Sequence, residues 1–270
     1  MSGMSGDRVP AGIDPTVPSA ARMYDFYLGG KDNFEIDRIR GEQVAQGFPE
    51  VREVARANRA FLGAAVRDAA RAGIDQYVDL GAGLPTQGHV HEAARPIRPA
   101  TKVVYVDVDP IACAHARALL PDDATAVVHA DIRTPATVLE DAQVARLIDW
   151  DRPVALLLVS VLHFIGEDED PDGIIGAFTA RMAPGSRLIL TVASGPDLDA
   201  DVSALTDAYR GAGTGTGGLR SRARIERFYE GFPLLPPGLV DVREWPGIEA
   251  PPATPGAVRL LAGVGEKPAG

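Results

Sequence analysis

Residues 77–86, Tyr77-Val78-Asp79-Leu80-Gly81-Ala82-Gly83-Leu84-Pro85-Thr86, decide the fold of this chain. Tyr77, Val78 and Leu80 are the aromatic, β-branched and apolar residues of a short buried strand, and the strand runs directly into two glycines separated by one alanine. A strand that ends in glycines turns tightly beneath something that must come close to the backbone. In open α/β sheets, ligands bind at the carboxyl ends of the strands, so this turn is the first candidate floor of a pocket. A Gly-x-Gly after a strand is also a common way to reverse a chain, and the ends of the next three strands separate the two readings.

Residues 102–106 read as a second strand that delivers Asp107, 28 residues after Asp79, followed by Asp109-Pro110 and the helical pattern IACAHARALL. A third strand, 125–129, ends in Ala130-Asp131-Ile132-Arg133. A fourth, 153–161, ends around Ser160 and continues into Leu162-His163-Phe164. Four successive strands that each present a small or acidic residue at the carboxyl end describe one nucleoside-sized site.

Working outward, the apolar stripe Val51, Val54, Ala55, Phe61, Leu62, Ala65, Val66 and Ala69 predicts a long helix over 49–73, closed by Gly73. Residues 135–147 read as one helix, and Pro171 opens another that carries Ile174, Ile175, Phe178 and Met182. A fifth strand covers 185–192, the glycine-rich stretch 212–218 reads as a flexible connector, and Ser221 caps a helix over 222–228. Strands at 239–245 and 257–264 have only a proline-rich loop between them, which suits antiparallel pairing, whereas a parallel crossover needs a dozen or more residues. Alternating strands and helices through the middle imply a mostly parallel sheet with helices on both faces, a three-layer α/β/α sandwich.

Residues 1–17 are rich in Gly, Pro, Ser and Asp without periodicity and read as a mobile tail, and 265–270 as a C-terminal tail. Within 18–48, Ser19 is placed to cap a short helix bearing Met23, Tyr24, Phe26 and Tyr27. Gly29-Gly30 ends that helix, and Lys31-Asp32-Asn33-Phe34 follows, so the segment reads as a lid or pocket wall.

The formal charge of −10, with no run of Lys and Arg, argues against a nucleic-acid partner. Arg220, Arg222, Arg224 and Arg227, at roughly helical spacing, read as a solvated face. Cys113 is the single cysteine, so no internal disulfide can form and a reducing compartment is expected. The N-terminus lacks the apolar core of a signal peptide and the longest apolar run is too short to span a bilayer, so no membrane partner and a cytoplasmic location are expected. His89, His91 and Glu92 lack a matching third ligand, and no metal is expected.

A carboxylate at the tip of the second strand accepts both hydroxyls of a ribose, each charge-assisted bond contributing about 1.5 to 3 kcal/mol. That suits a dinucleotide or S-adenosylmethionine. A dinucleotide turn takes the form GxGxxG with an acidic residue about 20 residues on. Here the last position of the turn is Thr86, and Asp107 lies 26 residues after Gly81. An aspartate after the third strand, able to accept from an adenine amino group, further favours S-adenosylmethionine. An NAD(P)-dependent oxidoreductase is the alternative enzyme reading, and a non-catalytic S-adenosylmethionine sensor the alternative to an enzyme.

YVDLGAGLPT, VVYVDVDPIACAHARALL, HADIR, PVALLLVSVLHFI and GSRLIL resemble, in order, the motifs of class I S-adenosylmethionine-dependent methyltransferases. ARMYDFYLGGKDNFEIDR, DRPVALLLVSVLHF and RFYEGFPLLPPGLV resemble more closely a bacterial S-adenosyl methyltransferase family of unassigned substrate, over about residues 20 to 264. The resemblance implies a Rossmann-like, seven-stranded sheet with the last strand antiparallel, in a methyltransferase domain over 49–264. It implies that Gly81, Ala82 and Gly83 pass under the methionine part, that Asp79 faces its amino group, that Asp107 takes the ribose, and that Asp131 and Ile132 border the adenine. Val108 and Ser160 are counted with the cofactor side. Pro85 stands where the wider fold has a third glycine, and it matches the closer family. The expected substrate is a small-molecule acceptor methylated on O or N, with Tyr24, Tyr27, Lys31 and His163 on its side and His163 the candidate general base.

Overall fold

The structure, a computed structural model, describes residues 14–85, 88–120, 122–195, 217–255 and 258–269. Its strands are β1 (Gln76–Leu80), β2 (Lys102–Asp107), β3 (Thr125–His129), β4 (Ala155–Val159), β5 (Arg187–Ser194), β6 (Val240–Asp241) and β7 (Arg259–Glu266). They form one seven-stranded sheet in the order β3-β2-β1-β4-β5-β7-β6. β1 to β5 pair in parallel, while β7 runs antiparallel to β5 from Arg187↔Glu266 to Ser194↔Arg259, and antiparallel to β6. From β1 the chain steps outward to β2 and β3, then returns to place β4 and β5 on the other side. The crevice at the carboxyl ends of β1 and β4 is therefore the topological switch point, where an open α/β sheet binds its ligand.

The period of two along each strand divides the core between the faces. Tyr77, Val103, Tyr105, Leu157 and Ile189 point to one face, beneath the long helix α3 (Val51–Arg71), α1 (Ala20–Tyr27), α2 (Glu35–Gly47), α4 (Val90–Ala94) and α5 (Pro110–Leu119). Val78, Leu80, Val104, Leu156 and Leu190 point to the other. That face is covered by α6 (Pro135–Leu139), α7 (Ala142–Leu147), α8 (Pro171–Thr179) and α9 (Arg222–Arg227). Strands buried on both faces read as the near-continuous apolar runs seen in the sequence. No helix among the described residues is long and apolar enough to cross a membrane.

Several boundaries depart from the sequence reading. Ser19 stands at the N-cap position of α1, but its side chain makes no cap bond and its hydroxyl donates to Asp109 instead. α2 has no counterpart in that reading: its sequence is mostly polar, and among its buried residues is a charged one, Asp37. The expected helix over 135–147 is two short ones, because Asp141 accepts from Gln143 N and caps a fresh start. β6 holds two residues and gives way to a 3-10 turn at Val242–Glu244. β7 continues to Glu266, and the Lys267 ammonium donates to Thr179 O and Met182 O, so the chain stays docked past residue 265. Of the arginines expected as a solvated face, Arg222 and Arg227 are exposed, but Arg220 and Arg224 are engaged. Arg220 is 6% exposed and donates to Leu162 O and Ile165 O, and Arg224 pairs with Glu167 and Asp172. Residues 1–13 of the expected tail and 212–216 of the expected connector lie outside the described residues.

Candidate functional site

β1 ends in a turn with Gly81 at φ +75° and Gly83 at φ +68°, the left-handed region that side-chain-bearing residues rarely adopt. At Gly81 a Cβ would also lie 2.6 Å from Val161 Cγ2, so neither the conformation nor the space admits a larger residue. The turn is laced to the next strand: Gly81 N and Ala82 N donate to Val106 O at 2.8 and 3.0 Å. Gly83 N donates to one Asp107 carboxylate oxygen at 2.7 Å, and Asp109 N to the other at 2.8 Å. An ionised carboxylate offers about four acceptor directions. Two are used in holding the loops together, which leaves two for a pair of hydroxyls. Burial pushes the Asp107 pKa up, while the N–H groups of Asp109 and Gly83 oppose that shift.

Over this turn opens a cavity of about 580 Å³. It brings together Asp79, Gly81, Ala82, Gly83, Asp107, Val108, Asp131, Ile132, Ser160 and His163, together with Tyr24 and Tyr27 from α1. Lys31 is exposed and is not among the lining residues, because the chain beyond Gly29 turns away from the cavity mouth. Asp131 is held by Arg133, which donates its backbone N–H at 2.9 Å and its guanidinium at 3.3 Å, and Ile132 beside it is 7% exposed.

Asp79 is 5% exposed and accepts no hydrogen bond from any described residue. Burial lifts its pKa from 3.8 to about 7, with Arg59 opposing the rise and the Asp107 charge adding to it. In the free protein its contribution to stability is therefore fully present below about pH 4 and is lost as pH rises to about 7. A cation bound beside Asp79 favours the carboxylate, so binding of an ammonium-bearing ligand below pH 7 should release a proton. Calorimetry with S-adenosylhomocysteine at pH 6, in two buffers of different ionisation enthalpy, is expected to show that release. Affinity should rise from pH 5 to 7 and level off above it. Identical heats in both buffers would remove Asp79 from the ammonium site.

At the carboxyl end of β4, Ser160 sits at φ +59°, strained for a residue with a side chain. Its N–H donates to Thr191 Oγ1 at 2.8 Å, and its hydroxyl accepts from Asn58 Nδ2 at 2.9 Å. The same Asn58 amide donates to the Tyr24 hydroxyl at 2.9 Å, which in turn donates to Ala55 O at 3.0 Å. Asn58 and its neighbour Arg59 both line the cavity, and the sequence reading did not include them. A signal was present: Asn58 interrupts the apolar stripe of α3 between Val54-Ala55 and Phe61-Leu62, and a polar residue on a buried stripe needs a partner. His163 follows β4 on a turn pinned by Arg220. Burial and the Arg220 charge lower its pKa to about 3, and Nδ1 is enclosed without a partner.

The N-terminal segment is fastened across the cavity. Arg22 and Asp37 form a buried ion pair at 2.7 Å, Arg22 also donates to Val17 O, and Ser19 bonds to Asp109, next to Val108 at the tip of β2. Gly30 closes the segment against Asp25: a Cβ there would stand 1.9 Å from Asp25 Oδ1, and the other Asp25 oxygen accepts from Asp32 N and Asn33 Nδ2. Leu84 of the glycine turn packs on Ile111 and Ala112, with Phe34 and Ala21 of the N-terminal segment against them. Among the described residues, no group of three or more His, Cys, Asp or Glu side chains is disposed to hold a metal ion.

These residues fit S-adenosylmethionine. The glycine turn leaves backbone where a side chain would stand, Asp107 has acceptor capacity for a ribose, and Asp79 is a buried carboxylate lacking a partner for an ammonium group. The sequence profile of the S-adenosyl methyltransferase family matches residues 7–268. A proposed methyltransferase from Thermobifida fusca YX is 40% identical, with a TM-score of 0.87 over 96% of this chain and 98% of that one. A DUF574 family protein from Streptomyces avermitilis MA-4680 is 32% identical, with a TM-score of 0.88 over 94% of this chain and 99% of that one. An O-methyltransferase family protein from Burkholderia thailandensis shares the fold at 16% identity, with a TM-score of 0.51 over 82% of this chain and 61% of that one. No curated protein matches the chain. Glycine turn, strand-end carboxylates and a profile match over nearly the whole chain agree, and the dinucleotide and sensor alternatives give way. The chain belongs to the S-adenosyl methyltransferase family and is an S-adenosylmethionine-dependent methyltransferase.

Proposed function

We propose that this enzyme methylates an O or N atom of a small, largely apolar molecule, in a pocket formed between the N-terminal segment, α3 and β7. The observation that carries this reading is the make-up of the cavity beyond Ser160. There Phe48, Val51 and Val54 of the α2–α3 region face Ala193, Leu219 and Leu260 from the sheet side. Such a lining favours an apolar body, and the few polar groups near Ser160 orient it.

The donor supplies a methyl group already activated on a sulfonium. The chain's own residues then have little bond-making work, and their task is alignment and exclusion of water. In this reading Asp79, Gly81, Ala82, Gly83, Asp107, Val108, Asp131 and Ile132 hold the donor. Ser160 and Asn58 mark the boundary between donor and acceptor, and Tyr24 and Tyr27 wall the acceptor. His163, with a pKa of about 3, stays neutral at physiological pH and holds a proton weakly. It therefore shapes the pocket in place of the general base that its position after β4 suggested.

His163→Gln should keep turnover within about tenfold of wild type, whereas loss of a general base costs about 10² to 10⁴. The pH profile of kcat/KM should show no limb with a midpoint between 5 and 7 that disappears in this variant. For the substrate class, methyl-labelled S-adenosylmethionine offered with pools of small phenols, alcohols and amines, and separately with protein and RNA, should label the small molecules. Label confined to protein or RNA would overturn the proposal.

A further inference from the structure

The carboxyl end of β4 carries a hydrogen-bond network with two ends left open. Ser160 is held in the left-handed region at φ +59°, and its N–H donates to Thr191 Oγ1 at 2.8 Å. Its Oγ accepts from Asn58 Nδ2 at 2.9 Å, while the contact between the Ser160 and Thr191 hydroxyls, at 3.5 Å, is beyond ordinary O–H···O reach. The Ser160 proton is therefore free to donate. Tyr24 spends its one proton on Ala55 O and so meets Asn58 as an acceptor, and both Nδ2 protons of Asn58 are used, one on Tyr24 and one on Ser160. Those two partners fix which way the amide faces. Its Oδ1 is left buried and without a partner, on a residue that is 1% exposed. Tyr24, Asn58 and Ser160 all line the cavity.

A strained backbone and an unsatisfied buried oxygen each cost free energy, and they persist where a ligand makes use of them. One free O–H donor beside one free neutral acceptor is the complement of a group that gives one hydrogen bond and takes one. A neutral hydroxyl is such a group. With its proton on Asn58 Oδ1 and one lone pair taken by Ser160, its oxygen keeps a second lone pair for the methyl group. A neutral amine has a single lone pair: it either spends that pair on Ser160 and cannot attack, or attacks and leaves the Ser160 donor without a partner. An oxyanion has no proton for Asn58 and would set two electron-rich oxygens against each other. We propose that Asn58 and Ser160 are specificity-determining residues of the acceptor site, and that they select a neutral hydroxyl on an apolar body as the group that is methylated. In the transfer the acceptor oxygen gains the methyl carbon, the carbon–sulfur electron pair stays on sulfur, and the hydroxyl proton leaves past Asn58 Oδ1 to water. The inference rests on the small-molecule reading above and narrows it from O or N to a hydroxyl oxygen.

The test offers the full chain methyl-labelled S-adenosylmethionine with matched apolar acceptors, naphthols against naphthylamines and indanols against aminoindanes. Wild type should favour the hydroxyl member of each pair by about tenfold or more in kcat/KM, the effect of one buried hydrogen-bonding group left unsatisfied. Ser160→Gly keeps a left-handed backbone without strain and removes the hydroxyl. It should lower kcat/KM for the hydroxyl acceptor about tenfold and for the amine less than about threefold, so that the preference collapses. Asn58→Ala should erase the same preference, while calorimetry shows its affinity for S-adenosylhomocysteine changed by less than about threefold. Amines methylated as fast as their matched hydroxyls by wild type would overturn the inference and leave the small-molecule reading standing, whether or not the variants fold. So would a Ser160→Gly enzyme that slows both members of a pair alike, as a merely structural role would have it. An Asn58→Ala variant that loses S-adenosylhomocysteine by the same factor as the hydroxyl acceptor would place the amide on the donor side and overturn it too, as would transfer to no hydroxyl of the panel. Label confined to protein or RNA is the separate outcome that overturns the small-molecule reading itself.

Discussion

Replacing Asp107 with alanine should weaken S-adenosylhomocysteine binding at least tenfold, and about a hundredfold if both ribose bonds are lost. The effect has two sources. Two charge-assisted hydrogen bonds to the ligand disappear. The carboxylate that joins Gly83 N to Asp109 N also disappears, so the glycine turn and the start of α5 lose their common anchor. Asp107→Asn separates these. An amide keeps one acceptor oxygen but turns an N–H₂ toward a backbone donor, so the turn loosens even where one ribose bond survives. Calorimetry on both variants measures the loss, and unchanged affinity in Asp107→Ala would take this residue out of the site.

The largest effect on stability is expected at Arg22. Asp37 is fully buried and accepts from Ser19 N at 2.9 Å, Phe34 N at 2.8 Å and Arg22 Nε at 2.7 Å. Removing one partner of a buried pair leaves an uncompensated charge, at a cost of about 3 to 5 kcal/mol. The two backbone donors that remain on Asp37 hold the expected loss in Arg22→Ala near about 3 kcal/mol. Urea unfolding would measure it. The same change releases the tie from Arg22 to Val17 and its approach to Asp109, so the donor KM should rise in protein that is still folded. Arg22→Ala with stability within about 0.5 kcal/mol of wild type, the range of ordinary surface changes, would show that the N-terminal segment is held by other contacts.

What the sequence made legible is the part that local rules control. β1 to β4 announce themselves by apolar runs that end in a small or acidic residue, β5 by its apolar run alone, and β3 occupies 125–129 as read. The glycine turn and Asp107 are legible because a close backbone approach and a strand-end carboxylate each demand particular residue types. α2 was hidden because it is held by a charged residue, Asp37, whose partners come from Ser19, Arg22 and Phe34, and no apolar stripe advertises that arrangement. Lys31 looked like a site residue because it stands beside aromatics in sequence, but the turn at Gly29-Gly30 sends it to solvent. Arg59 was missed for the opposite reason. A helix read for its apolar face gives no weight to the polar residues bordering that face, and their meaning depends on a strand further along the chain. The lowered pKa of His163 comes first from burial and then from the charge of Arg220, which is distant in sequence, so it could not be read from residues near it.

The most direct test is a crystal structure of the full chain with S-adenosylhomocysteine. Both ribose hydroxyls are expected on Asp107, the adenine between Val108 and Ile132, the amino-acid end beside Asp79, and the space among Phe48, Val54 and Leu260 left free for the acceptor. An adenosine seated among Phe48, Val54 and Leu260, with Asp107 making no contact to the ribose, would contradict the account.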